Sequence, residues 1–278
     1  MLREERLWRI TQQLTRERKV QCEQLAHEFV LTLASIRLDL AELERRGVAK
    51  RVYGGAVLVE RETTPALTNN NNKNGAQDLI ETRFAERFEV LRPEKEAIGR
   101  AAAKLVKDGE TIMIDGGTTT YQVCRNLVDK RNLSIISCAY YNVWQELVSR
   151  PNLQVFLTGG FLRAESLSLV GEVAENMLQG FRAVKCILGM DAVSIENGFT
   201  TLNFLEARVK KSMIESSQEL IVVADHSKFG KVCPIPVVPL NKATKIVTDS
   251  GTPLQVIRAL EGQGLEVIVA ETAGQAAE

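Results

Sequence analysis

Long apolar runs are absent from this sequence. None approaches the roughly 20 residues that a membrane-spanning helix needs, and the charged start Arg3-Glu4-Glu5-Arg6 has no apolar stretch of the kind a signal peptide carries. A cytoplasmic location is the expectation. Histidine is scarce: His27 and His226 are too few for a histidine-based metal cluster. The cysteines, Cys22, Cys124, Cys138, Cys186 and Cys233, are odd in number and lack the paired spacing that chelates zinc, so they read as reduced, mostly buried thiols. No serine stands in a nucleophile elbow, and no glycine-rich stretch spells a Walker loop or a dinucleotide fingerprint. Neither a metal nor a cofactor is expected, and no residue is assigned a catalytic role.

What is present is an ordinary globular composition, 45% hydrophobic and 25% charged over 278 residues, enough for one small and one medium domain. Net charge is zero, yet residues 1–61 hold 12 Lys+Arg against 9 Asp+Glu. This mild cationic excess falls on a helical motif. Leu7, Ile10 and Leu14 recur at helical spacing and predict a first helix over 3–17. Residues 21–28 predict a second, with Cys22, Leu25, Ala26 and Phe29 on its buried side. Thr32 suits the N-cap of a third helix, which buries Leu33, Ile36, Leu40 and Leu43 and stops at Gly47. Val48 to Val59 reads as a two-stranded wing turning at Gly54-Gly55, which completes a winged helix-turn-helix over residues 1–59.

On the third helix Ala34, Leu38, Ala41 and Arg45 face away from the core, flanked by Ser35 and Arg37. Small and apolar residues beside an arginine suit a DNA groove, where methyl contacts and arginine-to-guanine hydrogen bonds discriminate bases. Lys50, Arg51 and Tyr53 in the wing suit phosphates. The candidate DNA surface is therefore Thr32, Ala34, Ser35, Arg37, Leu38, Arg45, Lys50, Arg51 and Tyr53. A three-helix oligomerisation or docking unit is the alternative on pattern alone. Thr32, Ser35-Ile36-Arg37, Asp39-Leu40, Leu43-Glu44 and Gly47, with Arg51 and Gly54-Gly55-Ala56, resemble the N-terminal signature of the DeoR family of bacterial transcriptional regulators. Leu38 departs from it, standing where the family usually has a second basic or polar residue.

Residues 60–77, with Asn69 to Asn72 in series, have almost nothing to bury and are expected to be a flexible linker. Beyond it, 78–271 forms a second domain and 272–278 a tail. Leu79 to Phe88 and Glu94 to Val106 look helical. Short apolar runs then alternate with helical segments: Thr111 to Asp115, Leu133 to Cys138, Gln154 to Thr158, Lys185 to Met190, Glu219 to Asp225, Lys245 to Asp249 and Leu265 to Ala270. Their near-continuous Ile, Val and Leu content suits strands covered on both faces, hence an α/β fold with an open, mostly parallel sheet.

Asp115-Gly116-Gly117-Thr118-Thr119 lies where a strand gives way to a helix, so backbone amides and a helix N-terminus there suit a phosphate. A glycine turn after a strand is also common without function. Gly159-Gly160 with Arg163, Gly171, and Gly189 with Asp191 end or follow other strands, and such turns converge on one crevice in open parallel sheets. Thr200 leads into a helix bearing Glu206 and Lys210, which a solvated salt bridge at helical spacing also explains, and Lys228 follows a further strand. His226 reads as a loop histidine. Glu94-Lys95, Asp115 to Thr119, Gly159-Gly160, Leu169-Val170-Gly171, Gly189 to Asp191, Gly198 to Thr201, Glu206-Ala207 and Asp225 to Gly230 resemble the DeoR effector domain, whose fold is similar to ribose-5-phosphate isomerase. The resemblance implies that Asp115 to Thr119 hold the phosphate of a sugar phosphate while Asp191, Glu206 and Lys228 face the sugar. The wording around Asp191-Ala192, Glu206-Ala207-Arg208 and Ser227-Lys228-Phe229 is similar to regulators of amino-sugar or hexitol operons. Cys138 departs from the family's usual asparagine, so a polar contact to the ligand is either missing or supplied by Tyr140, Tyr141 or Asn142.

The expected function is a transcriptional repressor of a carbohydrate-utilisation operon, released from operator DNA by a phosphorylated sugar and acting as a dimer or tetramer on paired half-sites. The alternatives are a sugar-phosphate isomerase with an appended helical domain, using Glu206 or Asp191 as base, and a sensor that docks on another protein.

Overall fold

The computed structural model describes residues 3–29, 31–45, 48–58 and 81–272, and the chain divides into two compact units at residues 75 and 76. The expected helix stop at Gly47, the end of the wing at Val59, the linker over 60–77 and the tail after residue 272 lie outside the described residues.

The first unit contains α1 (Arg3–Glu17), β1 (Lys19–Gln21), α2 (Cys22–Phe29), α3 (Leu33–Arg45), β2 (Ala49–Val52) and β3 (Gly55–Leu58). Leu7, Ile10 and Leu14 from α1 meet Leu25, Ile36, Leu40 and Leu43 in one buried cluster, so the helical periodicity becomes the core. Thr32 Oγ1 accepts from the Ser35 amide at 3.2 Å and caps α3. Two expectations are corrected. Leu33 is 39% exposed, because the first helical position projects into the hollow between α3 and the wing. The inner row instead includes Asp39, 1% exposed, whose carboxylate accepts from Arg6 Nε at 2.5 Å and Nη2 at 3.2 Å. The wing also gains a third strand, in the antiparallel order β1-β3-β2.

The second unit runs α4 (Phe84–Glu89), α5 (Arg92–Lys104), β4 (Thr111–Ile114), α6 (Thr118–Arg125), β5 (Leu133–Ser137), α7 (Tyr140–Asn142), β6 (Leu153–Leu157), β7 (Phe161–Arg163), β8 (Ser168–Val170), α8 (Glu172–Gln179) and β9 (Ala183–Gly189). It continues through β10 (Ala192–Ser194), β11 (Gly198–Thr201), α9 (Phe204–Glu215), β12 (Ser217–Val223), β13 (Ile235–Val238), β14 (Lys245–Asp249), α10 (Leu254–Gly262) and β15 (Glu266–Ala270). All seven apolar runs become strands of one parallel sheet, in the order β15-β14-β12-β9-β4-β5-β6.

Alternation along those strands separates two cores. Met113, Ile136, Cys186, Leu188, Val222 and Ile246 pack with Ala174 and Leu178 of α8 and with Ala207 and Met213 of α9. Ile112, Ile114, Ile135, Ile187, Ile221 and Val247 pack with Ile98 and Ala102 of α5 and with Val123 and Cys124 of α6. Burial on both faces is why these strands read as continuous apolar runs. The chain proceeds from β4 outward to β6, then crosses to the other side of β4 to lay down β9 and β12. The boundary between β4 and β9 is therefore a topological switch point, where crevices open beyond the carboxyl ends of strands.

Candidate functional site

In the first unit, Ala34, Arg37, Leu38 and Arg45 are exposed on α3, as are Lys50, Arg51 and Tyr53 on the wing, while Ser35 is half-buried. Arg37, Arg51 and Tyr53 line a hollow of about 770 Å³ between helix and wing. The Arg51 amide and Nε donate to Glu44 at 2.9 and 2.7 Å, which joins β2 to α3. Arg45 Nη2 donates to Glu42 at 2.6 Å. Arg37 carries no hydrogen bond or ion pair among the described residues, so its donors are available to an incoming acceptor.

In the second unit, a cleft of about 320 Å³ opens at the switch point. The turn after β4 brings Asp115, Gly116, Gly117, Thr118 and Thr119. The end of β9 brings Gly189 and Asp191, α9 brings Glu206 and Lys210, and the loop after β12 brings Lys228. Thr118 and Thr119 open α6, where first-turn amides have no intrahelical acceptor. The loop before them is braced: the Gly117 amide donates to Thr120 Oγ1 at 2.8 Å, which donates to the Asp115 carbonyl at 3.0 Å. Asn142 Nδ2 donates to the Gly117 carbonyl at 3.2 Å, so of the three residues near Cys138 it is the asparagine that reaches this loop. The Cys138 thiol, buried and pushed up to about 12 chiefly by that burial, accepts from the Gly116 amide.

Charge in the cleft is tightly ordered. Lys210 Nζ pairs with Asp115 and donates to the Gly189 carbonyl at 2.7 Å, while the Gly189 amide donates to Asp115 Oδ1 at 3.1 Å. Burial opposes the charge on Lys210, but Asp115 and then Glu206 outweigh it and its pKa is raised. Lys210 does not bond to Glu206, so the plain helical salt bridge is corrected: Glu206 instead accepts from Arg163 Nη1 at 2.5 Å, and Arg163 Nη2 also reaches Glu81 at 2.9 Å. Burial pushes the pKa of Asp191 up, but hydrogen bonding from Thr201 and the field of Lys210 overcome it and the net shift is downward. Its Oδ2 also accepts from the Leu202 amide at 3.2 Å.

Five expected residues do not line this cleft. Arg163 acts from behind, holding Glu206. Thr200 Oγ1 accepts from the Cys233 amide at 2.8 Å. Gly160, with φ +119°, leaves no room for a Cβ, which would lie 2.5 Å from the Val170 carbonyl oxygen. Gly159 lies against Val173, and Gly171 leads into α8. Conversely, Thr82, Glu86, Arg87, Val90, Lys95, Asp225 and Ser227 line it without having been assigned a site role from the sequence. Lys95 Nζ donates to the Arg87 and Val90 carbonyls, each at 2.6 Å, and burial, offset in part by Asp225, pushes its pKa down to about 8. His226 is more than a loop histidine: its Nδ1 lies 2.7 Å from Oδ2 of the buried Asp249, anchoring the loop that carries Lys228. Among the described residues no group of metal-ligating side chains occurs, and all five cysteines are free and buried.

A hollow between α3 and a wing, and a cleft at the switch point of a parallel sheet, coincide with two family regions. Residues 6–62 match the DeoR-like helix-turn-helix domain and residues 92–250 match the DeoR C terminal sensor domain. The chain belongs to the DeoR family. Among DeoR-type relatives, it is 32% identical over 265 residues to the putative aga operon transcriptional repressor of Escherichia coli O157:H7, covering 95% of this chain and 93% of that one. It is 27% identical over 248 residues to the glycerol-3-phosphate regulon repressor of Escherichia coli K12, covering 89% and 91%. Similarity to ribose 5 phosphate isomerase A from Neisseria gonorrhoeae is confined to 49% of this chain and 52% of that one, at 18% identity and a TM-score of 0.35, and nothing about activity follows from it. No described helix is long and apolar enough to cross a membrane.

Proposed function

We propose that this DeoR-family chain is a transcriptional repressor of a carbohydrate-utilisation operon, and that a phosphorylated sugar bound in the switch-point cleft lowers its affinity for operator DNA. The observation that carries the reading is the pairing of an anion-suited helix start, at Gly117 to Thr119, with fixed polar groups across the same cleft. The phosphate belongs at the α6 start; Asp191, Glu206 and Lys228 then face the hydroxyls. The repressor relatives named above support the regulatory role, and the wording around Asp191-Ala192, Glu206-Ala207-Arg208 and Ser227-Lys228-Phe229 favours an amino-sugar or hexitol phosphate. Binding without turnover is favoured by the state of the carboxylates. Asp191 and Glu206 are each held in hydrogen bonds from neighbours, and Asp191 is driven toward ionisation rather than tuned as a base near neutrality.

The test is release of the full chain from its selected operator by a panel of sugar phosphates, with NMR of the same mixtures. An unchanged sugar that dissociates the complex is expected, and Glu206→Gln should change which sugar is accepted while leaving ligand-free operator binding intact. Conversion of the sugar at enzyme-like rates, abolished by Glu206→Gln, would replace the sensor with an isomerase.

A further inference from the structure

The segment from 81 to 91 belongs to neither matched family region, since one ends at residue 62 and the other begins at residue 92. It nonetheless forms one wall of the cleft, through Thr82, Glu86, Arg87 and Val90. Arg87 is the informative member. Its Nη1 lies 3.7 Å from Asp191 Oδ1, a loose pairing, and its Nε is buried without a hydrogen-bond partner. A guanidinium presents five donors and accepts nothing, and a buried donor left unmatched is unfavourable until an acceptor arrives. Asp191 offers little more, because its other oxygen already receives Thr201 and the Leu202 amide.

Arg87 is also placed at a definite end of the site. An adjoining hollow is lined by Arg87, Asp191, Glu206 and Lys228 but by no residue of the α6 start, which puts the guanidinium at the sugar end. Its helix is held from both sides. The buried Lys95 ammonium donates to the Arg87 and Val90 carbonyls, and the Phe84 and Phe88 rings stand against Tyr141 and Tyr121 with centroids 5.0 and 5.1 Å apart. Tyr121 lies on α6 itself.

We propose that Arg87 is an effector-binding residue whose guanidinium donates to an oxygen at the sugar end of the phosphorylated ligand, tying α4 to the occupied cleft. The assignment rests on the reading of the cleft as a sugar-phosphate site. In chain order α4 is the first described element after the wing, so occupancy is registered in the first helix of the second unit.

The experiment uses the full chain as wild type, Arg87→Met and Arg87→Lys. Hexose, hexosamine and hexitol phosphates and glycerol 3-phosphate are titrated by calorimetry, and hydrogen exchange is followed over residues 81–91. The expected result is a phosphorylated compound that binds wild type, binds Arg87→Met at least tenfold more weakly and Arg87→Lys to an intermediate degree, while all three melt together without ligand. That compound should slow exchange across 84–89 in wild type and not in Arg87→Met. Binding to Arg87→Met within twofold of wild type overturns the assignment and leaves the cleft reading standing. Early melting of ligand-free Arg87→Met, with Arg87→Lys stable and binding as wild type does, overturns it in favour of a structural role. If no phosphorylated compound binds wild type, the cleft reading falls and this assignment falls with it.

Discussion

At the scale of single residues, adjacent glycines in one turn have different jobs. A Cβ at Gly116 would lie 1.8 Å from Ser168 Oγ, whereas one at Gly117 would meet only Thr120 Oγ1, at 3.3 Å. Gly116→Ala should therefore lower the melting temperature. Gly117→Val should leave it near wild type while abolishing ligand binding, and Thr118→Ala should weaken binding by about 1 kcal/mol or more, the scale of a lost hydrogen bond to a charged group. Calorimetry and thermal unfolding separate the two effects; equal destabilisation by both glycine changes would contradict the cradle geometry. Lys95 makes the site pH-sensitive. Its folded value of about 8 lies below the ordinary lysine value of roughly 10.4. Between those two values the unfolded chain carries more protons, so Lys95 makes stability rise with pH across that window. Ligand affinity runs the other way, because an anion in the cleft favours the ammonium. Affinity for a phosphorylated sugar should fall as the pH is raised from about 7 to about 9, with proton uptake on binding; a flat profile would place the anion away from Lys95.

At the scale of elements, α3 and the wing act together because Arg51 is held to Glu44 by both its amide and its guanidinium. The pair between half-buried Arg6 and buried Asp39 fixes α3 against α1 in turn. On that fixed scaffold the exposed Arg37 should read a base, so Arg37→Ala should cost about 1 to 3 kcal/mol of specific operator affinity and relax one position of the preferred sequence. Lys50→Ala should weaken all sequences alike and flatten the salt dependence. Binding titrations at several salt concentrations distinguish these outcomes, and a uniform loss for Arg37→Ala would move that residue to a phosphate.

At the scale of the whole molecule, regulation requires that ligand and operator favour different states of the chain. One helix-turn-helix contacts one half-site, and paired readers match half-sites about one helical turn, roughly 10 base pairs, apart or a multiple of that. Light scattering of the purified chain should give at least a dimer, and selected operators should show two related half-sites at such a spacing. A monomer that binds a single half-site with full affinity would contradict this.

The sequence by itself determined the order and type of the large elements, because each announces itself through local periodicity. Leu7, Ile10 and Leu14 mark α1, and continuous Ile, Val and Leu runs mark all seven strands of the parallel sheet. The Asp115 to Thr119 turn was equally legible, since a strand, two glycines and a helix start are neighbours in the chain. The short β7–β8 hairpin and the β10-β11-β13 sheet were not, because strands of three or four residues beside glycine turns carry too little pattern to stand out. Partner choice was also hidden. Glu206 and Lys210 are one helical turn apart, yet each bonds elsewhere, to Arg163 and to Asp115, because burial favours the partner that best satisfies the charge in three dimensions. Only the tertiary structure could bring Arg87 and Lys95 to the cleft, since a polar residue on a helix bears no local mark of the distant strands it will face.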